Sequence, residues 1–286
     1  MSARAADAEP RVHRADSSGV RLTVEEHGRP GPGRALLFLP ALGVPLSYYR
    51  PLFEHWTARG RHLFGVEWRG MPQSPVASLR REPFGYSHLV RHDLPAVHRL
   101  DAVASAGELV LVGHSLGGHV ALLSTAAGLV APSAVVTIAT GTSSGASQAS
   151  YRGRIRRRIG TQFVRTASDV LGYWPGHRLG FGGRQPKPMM HDFAYEARHG
   201  RYRLTGDPTD YEAALATLDQ PALLLALAGD PLMPLLGVDH LAGRLPAHVH
   251  RAGVDTGLAG DHFAWARKAP EPVVSTIETW LAANAP

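Results

Sequence analysis

The sequence contains no cysteine, which excludes disulfide bonds, thiolate nucleophiles and zinc sites built on cysteine. It has no apolar run approaching the roughly 20 residues needed to span a bilayer. The polar segment 1–14 also lacks the apolar stretch of a secretory signal. We therefore expect no integral membrane association. A cytoplasmic location is the default expectation, since the absence of cysteine fits a reducing compartment.

Acidic residues are the smaller charged class, with 24 Asp and Glu against 30 Lys and Arg, so the net charge is +6. A basic balance suits nucleic acid, anionic lipid or an anionic substrate. No nucleic-acid-binding motif accompanies the charge, so we expect no nucleic-acid partner and a solvated basic surface. One dense cluster leaves open a local attraction for an anionic substrate or a membrane surface. Its members are Arg152, Arg154, Arg156, Arg157 and Arg158.

Short apolar runs alternate with helical patterns along most of the chain. The runs have the length of buried strands and occupy residues 34–40, 61–68, 108–113, 134–140, 222–228 and 248–254. Helical spacing of apolar residues follows some of these runs, as at residues 45–59 and 116–129. This alternation indicates an α/β fold, with a mostly parallel central sheet flanked by helices on both faces. Residues 20–25 alternate after a Ser-Gly turn and predict a hairpin near the start.

Three further helices are predicted. The first covers residues 86–104, in which Pro95 is expected to introduce a kink. The second covers residues 239–245, with Asp239 as its N-cap. The third begins after Pro270 and carries the last apolar stripe of the chain.

The segment 141–209 differs in composition from the rest of the chain. It is rich in Gly and Ser, then in Arg, then in Gly, Pro and aromatic residues, and it contains no buried-strand pattern. Because so long a loop is uncommon inside a compact domain, we interpret it as an inserted cap or lid subdomain. Residues 1–140 and 210–286 then form the core domain.

Gly113, Ser115 and Gly117 form a G-x-S-x-G pattern directly between a predicted strand and a predicted helix. A serine at such a turn is held in a strained backbone conformation with its hydroxyl above the sheet, and the glycines let strand and helix approach closely. The first N–H of the helix, at Leu116, is free to donate to a developing oxyanion. This context predicts that Ser115 is a nucleophile rather than a passive turn residue.

With the motif so placed, the chain resembles the α/β-hydrolase superfamily, in particular its lipase, esterase and serine-aminopeptidase-like branch. The resemblance covers about residues 20–140 and 210–286. Residues 67–70 with Ser74 resemble the D-x-R-G-x-G-x-S turn of that superfamily, which is structural. Residues 43–51 and 172–176 also resemble a group of uncharacterised bacterial hydrolases, which gives no substrate. The resemblance implies an α/β-hydrolase fold with an inserted cap.

The chain order of that superfamily is nucleophile, acid, histidine, and this sequence supplies both later residues. Asp230 follows the apolar strand that ends near residue 229, at the edge of a parallel sheet where ligands bind. Asp239 and Asp255 are its rivals for the role of the acid. His262 lies between the last strand and the final helix, and histidine is the residue type best suited to act as a general base near neutral pH. The resemblance therefore implies Asp230 and His262 as partners of Ser115.

A second oxyanion donor is implied for the loop after the strand at residues 34–40. The superfamily usually carries His-Gly there, whereas this chain has Pro-Ala-Leu-Gly at residues 40–43. The match implies the Leu42 N–H as the donor. Backbone donation needs no particular side chain, so the difference does not remove the function.

Together these residues predict a serine hydrolase that cleaves a carboxylic ester, amide or thioester of a small acyl substrate through an acyl-enzyme. No cofactor and no metal is expected. The same residues leave open an acyltransferase, a cofactor-free haloperoxidase or C–C hydrolase, and a non-catalytic ligand-binding member of the fold. The oligomeric state is left open.

Aromatic residues of the inserted segment are candidates for the substrate pocket. Trp174 and Tyr173 lie in its Gly/Pro/aromatic stretch, and Phe263 directly follows His262 in the core. Phe163, Phe181, Phe193 and Tyr195 belong to the same segment. Pockets and small cores use the same residue types, so these side chains are expected either to line an acyl or aryl pocket or to pack the segment's own core.

Overall fold

The apolar runs of the sequence form strands in the computed structural model, which describes residues 9–31, 33–260 and 262–284. In chain order the strands are β1 (Arg11–Ser17), β2 (Val20–His27), β3 (Ala35–Leu39), β4 (Leu63–Glu67), β5 (Leu109–His114), β6 (Ala134–Ile138), β7 (Tyr173–Pro175), β8 (Arg184–Pro186), β9 (Ala222–Leu227) and β10 (His250–Val254). Eight of them form one sheet in the spatial order β1-β2-β4-β3-β5-β6-β9-β10. The other two, β7 and β8, form a separate hairpin.

Most neighbouring strands of the large sheet are parallel. The pairs β1/β2 and β2/β4 are antiparallel, and the remaining pairs are parallel. Every residue of β3, β4, β5, β6 and β9 is buried, as expected for strands covered by helices on both faces. The predicted α/β fold and the starting hairpin are therefore confirmed.

The register of the central strands brings their carboxyl ends to one edge. Leu39 at the end of β3 pairs with Gly113 of β5, which also pairs with Thr137 of β6. Ile138 of β6 pairs in turn with Leu225 of β9. The segments that follow β3, β5 and β9 thus emerge side by side, at the edge where parallel sheets bind ligands.

Helices connect and cover these strands. They are α1 (Arg50–Thr57), α2 (Tyr86–His88), α3 (Leu94–His98), α4 (Asp101–Ala104), α5 (Leu116–Ala126), α6 (Tyr151–Leu171), α7 (Gly176–Leu179), α8 (Lys187–His199), α9 (Tyr211–Leu215), α10 (Leu235–Ala242), α11 (Trp265–Lys268) and α12 (Glu271–Asn284). Short 3₁₀ turns occupy Leu46–Tyr49 and Gly145–Ser147. No helix in the described part of the chain combines the length and apolarity required to cross a bilayer.

The predicted helix over residues 86–104 is interrupted. A π-helical turn at Leu89–Asp93 joins α2 to α3, and the Leu94 N–H donates to the Leu89 carbonyl. Pro95 follows in the first turn of α3, where its missing N–H is tolerated. The widened turn takes the place of the predicted kink.

The helix predicted to begin at Asp239 begins earlier, so its assignment as an N-cap is wrong. Helix α10 starts at Leu235 after Pro234, and Asp239 lies inside it. Its carboxylate forms an ion pair with Arg251 of β10. Proline fixes an extended entry into the first turn, and this start signal outweighs the capping preference of aspartate.

Buried polar contacts hold the turn after β4. The Arg69 Nε–H donates to the Asp93 carboxylate at 2.7 Å, and both side chains are buried. The Ser74 hydroxyl donates to the Glu67 carbonyl at 2.8 Å and accepts the Thr23 N–H at 2.9 Å. The structural reading of this turn agrees with these contacts.

The segment 141–209 contains two main helices and the small hairpin. Helices α6 and α8 pack against each other, and β7 pairs with β8 beside them. The hairpin was not predicted, because strands of three residues carry too few positions to show an alternation. Buried apolar residues of the segment include Val164, Trp174, Met189 and Met190.

Candidate active site

Ser115 occupies a sharp turn between β5 and α5. Its φ of +52° is rare for a residue with a side chain. A Cβ atom on Gly117 would lie 1.9 Å from the Leu39 carbonyl oxygen, so only glycine fits where α5 passes β3. The Ser115 N–H donates to the Ile138 carbonyl at 2.9 Å, and the Thr140 hydroxyl donates to the Ser115 carbonyl at 3.0 Å. The strained turn is thus fixed from both neighbouring strands.

Leu116 is the first residue of α5, so its N–H has no acceptor in a preceding helical turn. It lies at the positive end of the helix dipole, next to Ser115. An oxygen that gains negative charge beside Ser115 would find this N–H as a donor.

The loop after β3 presents a second N–H. The Ala41 N–H donates to the Tyr49 hydroxyl at 3.1 Å, and the Val44 N–H donates to the Ala41 carbonyl at 3.2 Å. Between them, the Leu42 N–H has no hydrogen-bond acceptor among the residues that the structure describes. Leu42 and Leu116 line the same cavity.

The loop after β3 also touches segment 141–209. Gly43 has a φ of +70°, and a Cβ atom on it would lie 2.2 Å from the Gly182 carbonyl oxygen. A Cβ atom on Gly182 would lie 3.1 Å from the Leu42 Cδ2 atom. The two loops therefore meet backbone to backbone.

The structure brings Asp230 and His262 together. The His262 Nδ1 lies 2.6 Å from the Asp230 Oδ2, and both side chains are buried. The other carboxylate oxygen of Asp230 accepts the Leu232 N–H at 2.8 Å and the Met233 N–H at 3.0 Å. A carboxylate so held makes Nδ1 the protonated nitrogen and leaves Nε2 with its lone pair.

The rival acids lie elsewhere. Asp239 is paired with Arg251, and the Asp255 carboxylate accepts the Gly257 N–H of its own loop at 2.8 Å. Asp261 is adjacent to His262 in the sequence, and a structural role is expected for it. It lies outside the described residues.

A buried relay that was not predicted links the two loops of the site through His114. The Tyr49 hydroxyl, which accepts the Ala41 N–H, lies 2.8 Å from the His114 Nδ1. The His114 Nε2 lies 3.0 Å from the His262 carbonyl oxygen. Because that carbonyl can only accept, Nε2 carries the proton and Tyr49 donates to Nδ1. Burial lowers the pKa of His114 well below its ordinary value, and a proton on the neighbouring His262 would lower it further, so the His114 imidazole is neutral.

Replacing Tyr49 by phenylalanine is expected to lower the free energy of unfolding by about 2 kcal/mol, because the Ala41 N–H and the His114 Nδ1 both lose a buried partner. Urea unfolding at pH 7 measures this change. Tyr151→Phe is the matched control, because the Tyr151 side chain is exposed. Equal stability of the Tyr49→Phe and wild-type proteins would contradict the relay.

Ser115 and His262 line one cavity of about 60 Å³ at the edge of the sheet. Segment 141–209 contributes Ser143, Arg157, Phe181, Gly182 and Phe193 to its lining, and the rest of the chain contributes the other lining residues. The volume is small beside the roughly 300–1,000 Å³ of ordinary ligand pockets.

A larger surface depression of about 510 Å³ adjoins His199 and Arg244 and includes neither Ser115 nor His262. Ser115 therefore opens into the small cavity and not into the larger depression.

The predicted pocket aromatics divide into two groups. Phe263 lines the cavity, and its ring centroid lies 4.6 Å from that of His262. Trp174 and Tyr173 are not among the lining residues. The Trp174 indole is buried and donates to the Phe181 carbonyl at 2.8 Å. The Tyr173 ring contacts the guanidinium groups of Arg80 and Arg184, which lie 5.3 and 5.4 Å from its centroid. The β7/β8 hairpin thus turns Trp174 into the packing of the segment itself, and Phe181 and Phe193 reach the cavity instead.

His119 also lines the cavity, and the sequence did not single it out. Its Nε2 lies 2.9 Å from the Gly141 carbonyl oxygen. Burial lowers the pKa of His119 to about 4, so it is neutral near pH 7. Its helical spacing from Ser115, four residues along the chain, was the available signal. Among the described residues, no three His, Asp or Glu side chains converge in a way that suits a metal ion.

Comparisons with known proteins agree with this fold. The model of the alpha/beta hydrolase family matches residues 36–276. Among solved structures, alpha/beta hydrolase domain-containing protein 10 from mouse is 17% identical, with a TM-score of 0.65 over 95% of this chain and 98% of that one. E-2-(acetamidomethylene)succinate hydrolase is 18% identical, with a TM-score of 0.61 over 96% and 100%.

A third solved structure, the enol-lactonase from Burkholderia xenovorans, is 16% identical, with a TM-score of 0.59 over 94% of this chain and 100% of that one. No curated protein sequence matches the chain significantly. At these identities the structural matches establish a shared fold.

Proposed function

The chain belongs to the alpha/beta hydrolase family, and from this premise we propose that it is a serine hydrolase acting through an acyl-enzyme on Ser115. The observation that carries the proposal is the Asp230–His262 hydrogen bond of 2.6 Å, together with the cavity that His262 shares with Ser115. The substrate class is a small molecule with a carboxylic ester, a thioester or an amide. Residues 141–209 act in this proposal as a cap over the cavity.

The proposed reaction begins with attack by the Ser115 oxygen on the carbonyl carbon of the substrate. The His262 Nε2 takes the serine proton, and Asp230 stabilises the resulting imidazolium through Nδ1–H. The carbonyl oxygen becomes an oxyanion, to which the Leu116 and Leu42 N–H groups donate. When the tetrahedral intermediate collapses, His262 protonates the departing alcohol, thiol or amine and the acyl group stays on Ser115.

Water then completes the cycle. His262 removes a proton from a water molecule as that water attacks the acyl-enzyme, and returns the proton to the Ser115 oxygen as the ester bond breaks. The products are the free acid and a regenerated Ser115. The lactonase among the structural neighbours is named for cleavage of an acyl–oxygen bond, which supports the ester class over the amide class.

A fluorophosphonate probe tests the activated serine. Wild-type protein is expected to form one covalent adduct, which peptide mass spectrometry finds on Ser115, because an activated serine attacks the electrophilic phosphorus. Ser115→Ala is expected to lose the adduct. Ser105→Ala is the matched control, since Ser105 is exposed and remote from the cavity.

Circular dichroism establishes that each variant is folded before labelling. Absence of an adduct on folded wild-type protein, or an adduct on another serine, would contradict the proposal. In the first case the chain would instead be a ligand-binding member of the family.

A further inference from the structure

Arg157 differs from the other arginines of its cluster. The side chains of Arg152, Arg154, Arg156 and Arg158 are exposed on helix α6, whereas Arg157 is half-buried and lines the cavity that contains Ser115. Its Nη2–H donates to the Leu232 carbonyl at 2.7 Å, and Leu232 lines the same cavity. The charged end of the side chain is therefore the part that reaches the site.

The guanidinium of Arg157 has no ion-pair partner within 4 Å among the described residues. The two nearest buried acids are committed elsewhere. Asp230 accepts from His262 and from two backbone N–H groups. Glu196 accepts the Thr142 hydroxyl at 2.5 Å and the Ser143 N–H at 2.9 Å. Both act on Arg157 only through longer-range attraction. This attraction partly offsets the burial that lowers the pKa of Arg157.

With one of its five N–H groups on a carbonyl, the half-buried guanidinium of Arg157 has further N–H groups left to donate to a ligand. Burial of a cation is costly unless an anion and further hydrogen bonds compensate for the lost hydration. Most of the cavity wall is apolar, with Phe181, Phe193, Met233 and Phe263 among its residues. Arg157 is the one permanently cationic side chain among the described lining residues.

We propose that Arg157 binds a carboxylate carried by the acyl part of the substrate, so that the site takes short acyl compounds with a second, anionic end. This inference rests on the proposed serine hydrolase function. The planar guanidinium matches a carboxylate in a two-bond arrangement. A singly charged carboxylate suits the site better than a phosphate dianion, because Arg157 supplies one positive charge among the described lining residues. The small cavity places the two ends of the substrate close together.

The test compares two esters of equal chain length, methyl hydrogen succinate and methyl butanoate, by pH-stat titration at pH 7. Wild-type protein is expected to show a kcat/KM at least about 10-fold higher for the anionic ester. In Arg157→Met, kcat/KM for the anionic ester is expected to fall about 10- to 100-fold, because the charged hydrogen bonds are lost. The value for the neutral ester is expected to stay within about 3-fold, since that ester has no group for Arg157 to bind.

Arg158→Met is the matched control, with a charge removed from the exposed face of the same helix turn. Arg157→Lys keeps the charge but loses the two-bond arrangement, so its kcat/KM for the anionic ester is expected to lie between those of wild type and Arg157→Met. Arg157→Lys replaces Arg157→Met in this test if the methionine variant does not fold. Equal losses for both esters, or no preference for the anionic ester in wild type, would overturn the proposal.

Binding of succinate to Ser115→Ala protein, measured by isothermal titration calorimetry, separates this proposal from the proposed reaction. The Ser115→Ala protein is expected to bind succinate with a Kd at least about 10-fold lower than that of the Ser115→Ala/Arg157→Met protein. If the fluorophosphonate adduct fails to form but this difference is found, the anion site stands and the reaction does not. If the adduct forms and Arg157 makes no difference to succinate or to either ester, the anion site is overturned and the reaction stands.

Discussion

Replacing His262 by alanine is expected to lower kcat for p-nitrophenyl butanoate by about 10⁴-fold or more. Without the imidazole, no group of the site takes the Ser115 proton and returns it to the leaving group. Asp230→Asn is expected to lose about 10³- to 10⁴-fold, because an amide does not hold the imidazole with its proton on Nδ1. Initial rates by absorbance at saturating substrate measure these changes. His240→Ala, an exposed histidine on α10, is expected to match wild type.

The double variant Ser115→Ala/His262→Ala sharpens this prediction. Nucleophile and base act as one unit, so removal of the second residue is expected to cost little after removal of the first. Multiplicative losses in the double variant would mean that the two residues act independently. Such a result would contradict the proposed proton transfer from Ser115 to His262.

Replacing Gly117 by alanine is expected to lower the free energy of unfolding by about 3 kcal/mol or more. The new Cβ would lie 1.9 Å from the Leu39 carbonyl oxygen, and Leu39 ends a fully buried strand. Neither α5 nor β3 can move without disturbing the packing between them. Because Leu39 leads into the loop of Leu42, we also expect kcat to fall together with stability.

Gly160→Ala is the matched control for this substitution. Gly160 lies in the middle of α6, where an added Cβ meets no atom within 4 Å. Alanine is the better helix former there, so a gain of about 0.5–1 kcal/mol is expected. Urea unfolding of both variants checks the pair of predictions. A stability of Gly117→Ala near that of wild type would show that the approach of α5 to β3 is looser than the structure indicates.

Much of the core follows from local patterns. Continuous apolar runs specify buried parallel strands, and the carboxyl ends of such strands lie at one edge. A serine after β5 and an aspartate after β9 are therefore brought near each other whatever the details of the loops. Local patterns alone did not predict the Asp230–His262 contact, because they do not give the position of the last loop. The resemblance to the superfamily supplied that position.

Other features depend on contacts that the sequence does not encode locally. The relay through Tyr49 and His114 joins residues 65 apart in sequence, and neither residue type is diagnostic by itself. Arg157 is one of five similar arginines, and only the packing of α6 against its neighbours decides which of them faces inward. Trp174 and Phe181 are both aromatic residues of one segment, and the short hairpin determines which one reaches the cavity.

The contact of Gly43 with Gly182 constrains which residues can stand at two positions that are far apart in the sequence. A side chain at position 43 would collide with the backbone at 182, and one at 182 would press on Leu42. Because the first collision is with backbone atoms, homologous sequences that keep this contact are expected to carry glycine at both positions. If segment 141–209 were exchanged for that of a relative, we expect the new segment to fit the loop after β3 only if it had a glycine where Gly182 now lies.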